Sequence, residues 1–456
     1  MQITKDNNQS KSDEITDIFY GSETAKALSN FTISELKMPR AFIWALATIK
    51  SACAQANQEL RLLDADKSAA IQLAAKEVAD GFHVNQFPID VFQTGSGTST
   101  NMNVNEVIAS LVKRYSQQKI NLHPNDDVNM GQSSNDVIPS CIHLSAAKLI
   151  SDELLPSLQH LIETLDAKAS EHHSTIKTGR THLMDAMPLS FAQEISGWSS
   201  QISYAHDQLK SSLPSLCKLA IGGTAIGTGV NTHPEFAAIV TQVLTQRTGL
   251  KLSPADNYFR AISAQDTAVQ VSGMLKTTAV SLSKISNDIR WLSSGPLNGL
   301  NELQLPELQK GSSIMPGKVN PVIPEAVLMA CTQVIGNDTT ITLAGQSGNF
   351  QLNTMLPLIG HTLLQSIQLL SSSSTALADK VIKDMIVNHL MINQHLAKNP
   401  ILATALNQLI GYDKSAEIAK KAYEEKRTVL DVALELTDIS ETELIVLLDP
   451  KRLTGG

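Results

Sequence analysis

The sequence predicts an all-α protein built around a bundle of long helices, and three observations predict it. Apolar residues recur at helix period through long stretches poor in proline. Aromatic residues, which favour strands, make up only 4 % of the chain, while alanine, leucine, isoleucine and serine are abundant. No convincing strand repeat and no internal repeat at fixed period interrupts the pattern.

Five long patterns follow one another along the chain: Ile142–His172, Leu189–Leu213, Ala264–Leu292, Pro321–Leu343 and Leu352–Met385. Pro156 in the first and Pro357 in the last are expected to kink or offset their helices. The third pattern is the clearest. Between Ala264 and Leu292 there is no proline and one glycine. Ala268, Val271, Leu275, Ala279, Leu282, Ile285 and Ile289 are spaced by 3, 4, 4, 3, 3 and 4 residues, which makes one apolar stripe. At about 1.5 Å per residue this helix would be about 40 Å long. Ser371–Ser374 falls inside the last pattern and reads as a solvated or tightly packed face, not a linker.

A chain of 456 residues exceeds one compact core, so two or three domains are expected. A polar stretch at Gly131–Ser133 precedes the long helices, and a second boundary falls near His389–Pro400. The division is therefore residues 1–132, 133–390 and 391–456, the last a small unit of short helices, with any short irregular strands in the terminal parts.

The formal charge of −8 argues against nucleic acid and anionic membranes as partners, and an anionic ligand would need a local positive site. Cys53, Cys141, Cys217 and Cys331 form no CxxC pair and read as buried thiols of a reducing compartment. Met1–Asp17 is polar and carries acids, unlike a signal or transit peptide, and no run of 18 apolar residues appears. A cytoplasmic location is the expectation.

Four polar, glycine-bearing segments interrupt the helices. Gln93–Asn103 offers hydroxyls and amides ahead of a helix expected to begin near Asn105; it suits a carboxylate, or simply caps the helix. Gly131-Gln132-Ser133-Ser134-Asn135-Asp136 holds more capping residues than one helix start needs, and the surplus donors suit an anion. Gly179–Ala186 carries His182, the side-chain type best matched to proton transfer near neutrality. Gly311–Pro321 reads as a hinged loop with hydroxyls, Lys318 and Asn320, followed by Glu325 in the first turn of a helix. Gly222–Gly229 hints at a phosphate loop but lacks GK[ST] and a preceding strand. No Cys, His and Asp spacing fits a metal, and Ser312 lies in no GxSxG.

The segment Gly311-Ser312-Ser313-Ile314-Met315-Pro316-Gly317-Lys318-Val319-Asn320-Pro321 resembles the signature of the fumarase/aspartase superfamily. The other three segments match that family's motifs in the same order, and the resemblance extends from about Tyr20 to Gly456. Within the superfamily the chain looks like a class II fumarase: Thr94-Gly95-Ser96-Gly97, Gly317, Thr404–Asn407 and Ile410–Lys414 take the fumarase form.

The resemblance implies three domains, the central bundle forming the core of a D2 homotetramer whose active sites each draw on three subunits. It implies no cofactor and no metal, and a dicarboxylate substrate. Ser96, Thr98 and Asn101 would bind one end of it, with Ser133, Ser134 and Asn135 from the helix start. Thr181 and His182 would come from a second subunit, and Ser312, Lys318 and Asn320 from the mobile loop of a third. Glu325 would orient His182. His123, Asn125 and Asp126 match a second dicarboxylate segment. The chain departs from the family pattern at Lys26, where arginine is usual, at Met130, where lysine is common, and upstream of Tyr20.

The implied reaction is reversible hydration of fumarate to L-malate. Ser312, as an alkoxide, would take the C3 proton, Lys318 and Asn320 would hold the aci-carboxylate, and His182 would assist the departing water. The rivals are an aspartate ammonia-lyase and a non-catalytic structural homologue. Argininosuccinate and adenylosuccinate lyases fit the motifs less well.

Overall fold

The computed structural model describes residues 18–455; the reading of Met1–Asp17 as no targeting segment lies outside them. In chain order the helices are α1 (Ser22–Asn30), α2 (Arg40–Glu59), α3 (Ala65–Asp80), α4 (Thr98–Tyr115), α5 (Ser134–Leu149), α6 (Leu155–Glu171), α7 (Phe191–Leu216), α8 (Phe236–Thr248), α9 (Tyr258–Ser263), α10 (Asp266–Leu292), α11 (Val322–Gly345) and α12 (Leu356–Leu377). Five shorter helices follow between His389 and Leu447. The longest strands, β1 (Ile176–Thr181) and β2 (Met184–Ser190), form an antiparallel hairpin. The other strands among the described residues are two-residue pairings. None of the described helices is long and apolar enough to cross a membrane.

The chain divides into two compact units, each assembled from three stretches: residues 1–145, 218–265 and 347–361, and residues 146–217, 266–346 and 362–456. In the first unit α2 packs on α3 and α8, and α3 on α4. Phe42, Leu46 and Ile49 of α2, Ile71 of α3, and Ile108 and Leu111 of α4 are all fully buried between these packed helices. Glu106 of α4 ties down the start of α1. Its carboxylate accepts from the Gly21, Glu23 and Thr24 backbone N–H groups at 2.9, 2.9 and 3.1 Å and from the Thr24 hydroxyl at 2.6 Å.

In the second unit α10 packs on α11 and α7, and α6 on α7. All seven stripe residues from Ala268 to Ile289 are 0 % exposed, so the stripe read from the sequence is the buried face of α10. Burying each larger aliphatic side chain of that face contributes roughly 1.5–3 kcal/mol. Polar ties fix the register between helices. Trp198 of α7 donates to Asp288 of α10 at 3.0 Å, and Ser272 and Lys276 of α10 donate to Asp338 of α11 at 2.8 and 2.6 Å. The C-terminal short helices close over their own core of Leu402, Leu406, Ile418, Val432 and Leu444. Ser374 is fully buried and donates to the Leu370 carbonyl at 2.8 Å, and Ser373 is buried beside it, while Ser372 is exposed, so the serine run lies within α12 and is packed on one side and solvated on the other. All four cysteines are free and buried.

Three expectations need correction. The helix placed near Asn105 begins at Thr98, because Gln93 accepts from the Thr100 N–H at 2.9 Å and hydroxyl at 2.8 Å and so satisfies its first turn. Pro357 is the second residue of α12, where its missing N–H costs nothing, and no kink is required there. Pro156, by contrast, follows the wider π-turn Ile150–Leu154 inside one continuous helical run, and the expected offset of α6 from α5 falls there. The longest strands lie in mid-chain at 176–190 and not in the terminal parts.

Candidate active site

In the first unit a cleft of about 570 Å³ is lined by Thr98, Asn101, Asn125, Ser133, Ser134 and Asn135, together with Asn129, Gln132 and Thr224. Residues from three distant segments thus meet within one unit. Ser96 stands behind Thr98, the two hydroxyls 2.8 Å apart. Gly95 and Gly97 shape this entry. A Cβ on Gly95 would lie 1.8 Å from the Thr354 carbonyl oxygen, and Gly97 takes a left-handed φ of +74° as it caps α4. Ser134 and Asn135 open α5, where the helix dipole favours an anion and the Asn135 N–H donates to Ser133 Oγ at 3.2 Å.

Asn101 is 1 % exposed, and its Nδ2 donates to Ser134 Oγ at 3.0 Å and Asn129 Oδ1 at 3.2 Å. It supports the wall of the cleft and orients Ser134. Asn135 Nδ2 donates to the Ala225 carbonyl at 2.8 Å. The second segment folds into a turn over Pro124–Val128, in which His123 Nδ1 accepts from the Asp126 N–H at 3.1 Å. Asn125 reaches the cleft lining, while His123 and Asp126 are exposed.

Below this lining lie residues that the sequence reading passed over. Lys50 of α2 is 0 % exposed and donates to Asn129 Oδ1 at 2.7 Å and Gln132 Oε1 at 2.9 Å. Burial pushes its ammonium down to about 7. Asp136 of α5 is also fully buried. It accepts from the Ser133 N–H at 2.9 Å, the Gly222 N–H at 3.0 Å and the Thr224 N–H at 2.9 Å. Burial pushes its carboxyl up to about 6 against the pull of those donors. The Gly222–Gly229 segment that hinted at a phosphate loop therefore turns its N–H groups to an internal carboxylate. A lysine set among apolar neighbours in Phe42–Ala54 was the available signal for Lys50.

The second unit carries the other candidates. Thr181 and Met184 pair across the β1–β2 hairpin, leaving His182 and Leu183 as a two-residue turn with φ of +56° and +62°. Both central residues in the left-handed region is the pattern of a type I′ turn, normally given to Asn-Gly; a leucine there holds backbone strain. The base of the hairpin is firmly held. Lys177, fully buried, pairs with Glu194 and Glu302 at 2.7 Å each, and Arg180 also donates to Glu302. Burial pushes the Glu302 carboxyl up, but the bonds and charges of Arg180 and Lys177 outweigh it and hold it below the usual range. Asn399 Nδ2 bonds the Ala186 carbonyl at 2.9 Å. Only the tip, with Thr181 and His182, is exposed.

In the loop 311–320, Ser312 Oγ accepts from the Ile314 and Met315 backbone N–H groups at 3.2 and 3.0 Å. Asn320 Nδ2 donates to the Gly311 carbonyl at 2.6 Å, and a Cβ on Gly311 would lie 1.9 Å from the Lys318 carbonyl oxygen, so the neck of the loop is closed. Between its ends Ile314, Met315, Lys318 and Val319 are exposed. Glu325 lies exposed in the first turn of α11. Among the described residues no hydrogen bond joins it to His182. Lys26 makes an exposed ion pair with Glu23 at 2.7 Å, and Met130 engages through its carbonyl, which accepts from Asn57 and Gln132 at 3.0 and 3.2 Å, so neither departure from the family pattern disturbs the cleft.

Two family models match the chain, one described as Lyase over residues 11–336 and one as Fumarase C C-terminus over residues 402–455. A class II fumarate hydratase of Pseudomonas aeruginosa is 55 % identical over 437 residues, covering 96 % of this chain and 95 % of that protein. A class II fumarate hydratase of Mycobacterium tuberculosis is 49 % identical over 414 residues, covering 91 % and 87 %. The crystal structure of class II fumarase from Schistosoma mansoni superposes with a TM-score of 0.93 at 40 % identity, over 96 % of each chain. The chain belongs to the class II fumarases of the fumarase/aspartase superfamily.

Proposed function

We propose that the protein is a fumarate hydratase that interconverts fumarate and L-malate in the cytoplasm. The observation that carries the site chemistry is the Ser312 hydroxyl, whose oxygen already accepts two backbone N–H bonds. A serine hydroxyl is a weak base. The same two donors strengthen as its oxygen becomes an alkoxide, which lowers the penalty for holding it in that form. Ser312 then takes the C3 proton of malate, and the electron pair released places a second negative charge on the adjacent carboxylate. Lys318 and Asn320 meet that charge. The aci-carboxylate collapses, the C2–O bond breaks, and the hydroxyl leaves as water with a proton from His182, held by Glu325.

The cleft lined by Thr98, Ser133, Ser134 and Asn135 receives the dicarboxylate, with Ser96 and Asn101 supporting it. His123, Asn125 and Asp126 form the accessory dicarboxylate segment at its edge. The three-domain division at 132/133 and 390/391 accounts for the separate core of the C-terminal helices. A homotetramer with sites shared by three subunits accounts for α11. Among its exposed polar residues that helix leaves Met329 70 %, Leu343 54 % and Ile335 39 % exposed in the single chain. It also gives Glu325 and His182 of different copies a way to meet.

The test is fumarate formation, followed by ultraviolet absorbance, from L-malate and from L-aspartate offered separately in chelator. Fumarate from malate alone is the expected result. Fumarate from aspartate alone moves the protein to the ammonia-lyases, and silence with both leaves it a structural homologue.

A further inference from the structure

Lys50 is a buried cation bonded to two neutral amides, and among the described residues no carboxylate forms an ion pair with it. Buried charges are ordinarily paired, because an ammonium out of water is costly. Asp136 on α5 acts on it electrostatically but makes no ion pair with it, its carboxylate accepting instead from the N–H groups of Ser133, Gly222 and Thr224. The other titratable groups facing this interior are Cys53 of α2 and Cys141 of α5, with Arg247 of α8 beside Cys53. None of them supplies an anion to a bonded ammonium.

The two amides belong to the turn that leads into Ser133, Ser134 and Asn135, and both line the cleft. Asn129 Oδ1 also accepts from Asn101 Nδ2 at 3.2 Å, and Asn101 in turn donates to Ser134. Gln132 spends its own donors on the Val128 and Met130 carbonyls at 3.2 Å each. One ammonium therefore holds the turn that presents the anion-binding residues and charges the floor beneath them.

We infer that Lys50 is a positioning residue for the dicarboxylate, acting through Asn129 and Gln132, and that a carboxylate of the bound substrate is its counter-charge. The inference rests on the dicarboxylate reading of the cleft. It accounts for the local positive field that a chain of net charge −8 needs to draw in an anion. It also makes binding and protonation reciprocal. In the empty protein burial holds the ammonium near 7, and an anion in the cleft favours its charged form, so binding above that pH takes up a proton.

The experiment uses succinate, a saturated dicarboxylate that cannot be hydrated. Its binding to the intact protein is measured by calorimetry at pH 8 in buffers of different ionisation enthalpy, alongside steady-state kinetics with fumarate. Wild-type protein should take up a proton on binding, and Lys50→Arg, charged throughout, should not. In Lys50→Gln the KM for fumarate should rise about tenfold or more with a smaller change in kcat. Lys50→Arg should restore most of that KM and remove its rise between pH 7 and 9. Equal proton uptake by wild type and Lys50→Arg overturns the inference, as does a wild-type KM in Lys50→Gln. If Lys50→Gln does not fold, the comparison of wild type with Lys50→Arg decides alone. Wild-type protein that neither binds succinate nor turns over fumarate overturns the dicarboxylate reading itself. Normal turnover with lysine-independent uptake overturns only the role of Lys50.

Discussion

At residue 312 the backbone prepares an oxygen for negative charge, so removing that oxygen should remove the chemistry and little else. Ser312→Ala should lower kcat by about three orders of magnitude or more while the melting temperature stays near wild type, since the side chain is partly exposed and bonds only its own loop. Near-wild-type turnover would exclude Ser312 as the base. His182→Asn should cost about 10²–10⁴-fold in kcat and flatten the pH–rate profile, because the exposed turn tolerates asparagine in the left-handed region. An unchanged profile would exclude His182. At the same scale Glu302 controls acid stability. Its folded pKa lies below the ordinary glutamate range, so its stabilisation is complete above that range and is lost as the pH falls through the lower folded value. Glu302→Gln should destabilise the protein at neutral pH by roughly 3 kcal/mol, because it leaves Lys177 buried without that partner, and should weaken the acid slope. Denaturant titrations at several pH values check both effects.

At the scale of the element, the long helices were legible because burial imposes a period on sequence: the α10 stripe reappeared residue for residue. The start of α4 was not legible. Its first turn is a run of threonine, serine and asparagine that reads as loop, and it is made helical by Gln93 and by the glycines before it. Gly95→Ala should destabilise by more than about 2 kcal/mol and raise KM, since the new methyl meets a backbone carbonyl that cannot swing aside. Wild-type thermal stability in that variant would show that the 354 segment yields. The hairpin was also missed. Its turn is His182-Leu183 instead of a glycine or asparagine pair, so the local sequence gave no turn signal.

At the scale of the whole molecule, the candidate residues fall into two groups by unit, and assembly is the proposal that unites them. Met329→Glu, at the most exposed apolar position of α11, should shift sedimentation from a tetramer to smaller species. If the site is shared between subunits, activity should fall with it. A tetramer of full activity in that variant would remove α11 from the interface.

The sequence by itself determined the helical class, the buried face of α10, the four polar segments and the family, because periodicity and motif are local properties of the chain. It also singled out Thr98, Asn101, Ser133, Ser134 and Asn135, which meet at one cleft. Only the tertiary structure decided what lies beneath them. Lys50, Asn129, Gln132 and Asp136 acquire their roles from partners up to 88 positions away, and the charge of a buried group depends on surroundings that no short stretch of sequence contains.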